Sequence, residues 1–139
     1  MTLRAMLACG LLGLAGLATP ASAVTASYAS DGSTALILAL RAYGSEASLA
    51  AFEKAAEAAD LFPDRSTSRD GEPMVLLTFM PSEDGADFWP VYRKAKAGKF
   101  GALRLELVAA PMSEVAGGGV DPMSVAKALS SSAIVEPRN

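Results

Sequence analysis

The chain has no histidine, one cysteine (Cys9) and one tryptophan (Trp89) among its 139 residues. The first absence excludes serine–histidine–aspartate triads, histidine-assisted thiol nucleophiles and imidazole zinc sites. A lone cysteine excludes an intrachain disulfide, so packing alone must hold the fold together. Basic charge is also scarce: 12 Lys and Arg stand against 15 Asp and Glu, a net charge of −3 that argues against general nucleic-acid binding. Nor is there an apolar run of the ~20 residues that a bilayer-spanning helix needs.

The longest run with no charge and no strongly polar side chain is Ala5–Ala18, between Arg4 and Thr19-Pro20. Its length and its Gly- and Ala-rich make-up predict a signal-peptide core rather than an uncleaved anchor. Ala21-Ser22-Ala23 supplies the small residues of a cleavage site, so cleavage is expected after Ala23. Lipidation at Cys9 would require an apolar core where only four residues follow Arg4. Removal of residues 1–23 would leave 116 residues, no cysteine and no stable membrane span. The expected address is the bacterial periplasm or the medium.

Residues 24–33 read as a flexible leader or a short edge strand, with a turn at Ser30-Asp31-Gly32, and 34–139 as a single domain. Thr34–Ala42 (TALILALRA) is short and nearly continuously apolar, which predicts a strand. Ser45–Phe62 predicts a helix: Ser45 is the N-cap, and Leu49, Phe52, Ala55, Ala56, Ala59 and Phe62 share one face. Asp64–Glu72 reads as a polar loop and Met74–Met80 as a buried strand ended by Pro81. Asp87–Ala97 predicts a second amphipathic helix, which accommodates Pro90 only in its first turn. Leu103–Ala109 alternates as a strand with one wet face, Asp121-Pro122 opens a helix to about Ser131, and Ala133–Glu136 forms a last edge strand. This order predicts an α+β fold: a ferredoxin-like sandwich with helices on one face of a three- to four-stranded sheet and an extra helix between strands two and three.

The remaining chemistry is that of carboxylates, Lys, Tyr and hydroxyls. Asp84 with Asp87, or Glu83 with Glu106, are the carboxylate pairs an acid–base enzyme would use. Placement of Glu83, Asp84 and Asp87 at a helix start accounts for them as dipole partners. The segment SEDGAD lacks the ligand alternation of a calcium loop, Gly117–Gly119 is not followed by the Lys-Ser/Thr of a phosphate loop, and no cofactor or metal is implied. The binding candidates are Trp89, Tyr92, Arg93, Lys96, Arg104 and Glu106, which combine the basic cluster with interleaved aromatics. A second candidate is the sheet face opposite the helices, where Ala35, Ile37, Ala39 and Arg41 would adjoin Arg104, Glu106 and Val108. The sequence therefore leads to an exported, non-enzymatic module that binds a protein partner or itself. The alternative is a small envelope enzyme or ligand-binding protein with carboxylate chemistry.

Overall fold

A computed structural model describes residues 24–79 and 85–137. The expected signal segment, and Glu83 and Asp84, lie outside the described residues. Among the described residues seven strands form one antiparallel sheet: β1 Thr25–Tyr28, β2 Thr34–Gly44, β3 Pro63–Thr67, β4 Pro73–Thr78, β5 Leu103–Pro111, β6 Lys127–Ser130 and β7 Ile134–Val135. Two longer helices, α1 Glu46–Ala58 and α2 Gly85–Lys96, and two single-turn helices, α3 Met112–Val115 and α4 Pro122–Val125, connect them.

This sheet overturns the expected three- to four-stranded ferredoxin-like sandwich. The difference comes from short segments whose backbone pairs although their composition is polar. The Asp64–Glu72 loop is in part β3, which pairs antiparallel with β4. The helix expected to reach Ser131 stops at Val125, and Lys127–Ser130 instead pairs with β5. The leader contributes β1, which pairs with both β2 and β7 and buries Ala26, and Val24 just before it is buried as well.

β2 is the organising strand. Along one edge it pairs with β5 from Ala35 to Gly44; along the other it pairs first with β1 and then with β4. Its register against β5 shifts between Ile37 and Ala39, leaving Leu38 as an extra, bulged residue. Because side chains alternate faces, one extra residue reverses the phase of everything beyond it. Ala35 and Ile37 before the bulge, and Leu40 and Ala42 after it, consequently join the same core.

That core lies between the sheet and α1 and α2. Val75 and Leu77 of β4 and Leu105, Leu107 and Ala109 of β5 meet Leu49, Phe52 and Ala56 of α1 and Phe88, Trp89, Val91, Tyr92 and Ala95 of α2. Aromatic rings dominate the α2 side: Phe79 lies edge-on to Phe88 at 4.8 Å, Phe88 to Trp89 at 4.7 Å and Trp89 to Tyr92 at 5.3 Å. Each such buried ring stabilises the fold by roughly 1.5–3 kcal/mol before its entropy cost.

Local chemistry sets the helix ends. Ser45 caps α1 by accepting from the Ser48 amide at 3.2 Å. At the other end Asp60 adopts φ 64°, the Leu61 amide donates to the Ala56 carbonyl and the Asp60 amide to that of Glu57. This paired closure ends the helix before Phe62, which is exposed rather than in the core, while Leu61 is buried. Pro90 lies in the second turn of the described helix α2, not the first, on its solvent side.

Candidate functional site

The register fixes what projects from the sheet face away from α1 and α2. Arg41 opposes Glu106 and Leu76, Tyr43 opposes Arg104 and Met74, and Ala39 opposes Val108 and Thr78. Farther out, Ser66 and Asp64 of β3 oppose Met74 and Leu76, and Ala128 and Ser130 of β6 oppose Val108 and Glu106. Because directly opposed residues share a face, these side chains form one layer.

The polar groups of this layer are tied together. Arg41 Nη1 donates to Glu106 Oε1 at 2.8 Å across the β2–β5 ladder. Arg104 stacks its guanidinium 4.1 Å from the centre of the Tyr43 ring and donates to Glu72 Oε1 at 2.6 Å. Beneath them Ala39, Tyr43, Met74, Val108 and Ala110 are buried, yet they stand outside the core that the helices close. Burial raises the Tyr43 hydroxyl above its ordinary pKa, Glu106 adds to the shift, and Arg41 and Arg104 oppose it. Arg104 nevertheless keeps 59% of its side chain exposed and Arg41 36%. The result is a braced surface whose guanidinium groups face outward.

The six residues singled out by sequence do not form one surface. Trp89 and Tyr92 are buried in the helix-side core. Arg93, on the same helix, is paired with Glu136, and Lys96 lies 5.8 Å from the Tyr92 ring centre. Arg104 and Glu106 belong to the opposite face. The sheet face predicted from alternation is present, with one change that follows from the bulge: Ala39 and Arg41 belong to it, whereas Ala35 and Ile37 point to the helices. Sequence reasoning missed Tyr43 and Glu72. Tyr43 was legible as the next alternating position after Arg41, but Glu72, from the turn between β3 and β4, had no such signal.

Surface cavities among the described residues include two of similar size. One, about 330 Å³, lies between α1 and α2 and is lined by Ala55, Ala58, Ala59, Pro90 and Val91 with Asp87 and Lys94. The other, about 370 Å³, lies by the β1–β2 turn and includes Tyr28, Asp31, Ser113 and Lys127. Among the described residues each is lined by one carboxylate, Asp87 in the first and Asp31 in the second. Asp31 already accepts from the Ser33 amide at 2.9 Å and hydroxyl at 2.7 Å, and these bonds lower its pKa. Glu106 is engaged by Arg41. Among the described residues, no three Asp, Glu, His or Cys side chains gather as a metal site, and no helix is long and apolar enough to cross a membrane.

No protein-family model, curated protein or solved structure matches the chain significantly.

Proposed function

We propose that the protein is an exported, non-enzymatic interaction module of the bacterial envelope, working through the sheet face opposite its two long helices. The observation that carries this reading is the braced layer Arg41–Glu106, Tyr43–Arg104–Glu72 over a second set of buried apolar side chains. Protein interfaces are enriched in Arg, Tyr and Met and depleted of Lys. None of the five lysines projects from this face. Lys54 lies on α1, Lys94 and Lys96 on α2, Lys99 just beyond it, and Lys127 opposes the core residue Ala109. Arginine and tyrosine side chains already fixed by stacking and ion pairing lose little entropy when a partner docks.

The test is capture of partners by the tagged chain in its native envelope, comparing wild type with Arg104→Glu and with Lys54→Glu on the helix layer. Partner recovery should fall at least tenfold for Arg104→Glu and stay unchanged for Lys54→Glu. Equal recovery with all three chains would remove the sheet face from the account.

A further inference from the structure

Opposite charges that stand unpaired around one cavity occur on the other side of the sheet, at the β1–β2 turn. The register places this cavity on the helix side. Lys127 opposes Ala109, Leu129 opposes Leu107 and Pro111 opposes Ala35, all three of them core residues, while Tyr28 follows Ala26 by two along β1. Tyr28 and Leu129 accordingly pack against the edge of the core, and these half-buried side chains give the cavity, with Pro111, an apolar floor. Its rim is exposed and polar, formed by Asp31, Lys127 and the serine hydroxyls of the turn and of α3. At about 370 Å³ it has the size of a small-molecule site.

Among the described residues neither Asp31 nor Lys127 has an ion-pair partner, in each other or elsewhere. Both bonds from Ser33 end on Asp31 Oδ1, which leaves Oδ2 to a donor from outside the chain. Besides burial, Glu114 and Asp31 raise the Tyr28 pKa, so the field at the Tyr28 end of the cavity is negative, while β6 brings the Lys127 ammonium to it. A ligand of one sign would be attracted by one of these groups and opposed by the other. A zwitterion meets both, its ammonium at Asp31 and its carboxylate at Lys127, through charge-assisted hydrogen bonds. The apolar floor gives an aliphatic side chain a surface to cover.

We infer that this cavity binds a free α-amino acid with an aliphatic side chain. The site is separate from the open sheet face and goes beyond the interaction reading.

The experiment titrates the isotope-labelled whole chain with L-leucine, with L-leucinamide, which lacks the carboxylate, and with isocaproate, which lacks the ammonium, and follows the backbone amide shifts. Each is taken to roughly 20 mM, above the micromolar-to-millimolar Kd of a ligand this small. L-leucine should shift the amides of Ser30, Ser33, Ser113 and Lys127 and leave those of Arg41, Tyr43 and Glu106 in place. Losing one charged hydrogen-bond partner weakens binding by about tenfold or more, so both analogues should bind more weakly than L-leucine by that factor. Lys127→Met should weaken L-leucine to the same extent and leave L-leucinamide unchanged. Asp31→Asn, which keeps an oxygen for the Ser33 bonds, should weaken L-leucine and leave isocaproate unchanged. The three compounds need no substitution, so their comparison stands even where a variant misfolds. No shift with L-leucine at the highest concentration, equal affinity for the three compounds, shifts confined to residues outside the cavity, or an L-leucine affinity that neither variant changes overturns the inference.

Discussion

Among the described residues, Tyr28 buries its hydroxyl oxygen without a hydrogen-bond partner. A buried polar atom left unpaired costs about 1–3 kcal/mol in desolvation, whereas removing it costs only the atom's packing. Tyr28→Phe is therefore expected to leave stability unchanged or raise it by up to about 1 kcal/mol, read as the urea midpoint. The same residue also acts through pH. Burial is the first cause raising the pKa of Tyr28, with Glu114 and Asp31 adding to it, and burial likewise leads the upward shifts of Tyr43 and Tyr92. A phenol whose folded pKa lies above its ordinary value of 10.0 stays protonated in the fold at a pH where the unfolded chain ionises. The unfolded state then holds fewer protons, and stability falls as pH rises. This contribution is complete below pH 10 and lost above it. Thermal unfolding from pH 8 to 11 should show a declining alkaline limb, shallower in Tyr28→Phe; identical limbs would contradict this account.

At the scale of elements, what was legible depended on whether a segment's pattern or its partner determines its structure. α1 was readable because Leu49, Phe52 and Ala56 repeat at helical spacing behind a serine cap, and β5 because Leu103, Leu105 and Leu107 alternate. β3 (PDRST) has no apolar face and forms because its backbone completes the ladder with β4, while Arg65 reaches back to Glu46 at 2.6 Å and Glu53 at 3.1 Å on α1. Such a strand carries no hydrophobic signature. The Leu38 bulge was equally hidden, since TALILALRA is apolar on both sides of it, yet it decides that Arg41 and not Leu40 joins the open face. The end of α1 was overestimated because Pro63 is a conspicuous stop, while the actual closure depends on a left-handed Asp60. Asp tolerates this conformation less well than glycine, which adopts it without a Cβ clash. Asp60→Gly should stabilise the protein by about 0.5–1 kcal/mol if the strain relieved exceeds the extra unfolded-state entropy of glycine. A lowered urea midpoint would show that the Asp60 side chain contributes more than its backbone costs.

For the whole molecule, the distribution of charge separates a second copy from other partners. The chain carries a net charge of −3, so two copies repel at long range whatever their apposed faces do at contact. At 0.01 M salt the screening length is ~30 Å, comparable with the separation of two such domains, and at 0.15 M it is ~8 Å. Coulomb repulsion between two such chains at ~30 Å in water amounts to roughly 1 kcal/mol unscreened. Any self-association should therefore tighten by about 2-fold on going from 0.01 to 0.15 M salt, as measured by sedimentation at matched pH, and change little beyond that. A basic partner would behave oppositely, binding tightest at low salt and weakening steadily as its attraction to an acidic chain is screened. The direction of the salt response thus discriminates between occupants of the same surface. It does so without a substitution that risks the fold, because the Arg41–Glu106 and Arg104–Glu72 pairs stay intact in every sample. Association that weakens across this range would mean that attraction between unlike charges, rather than contact between two copies of like net charge, drives the complex.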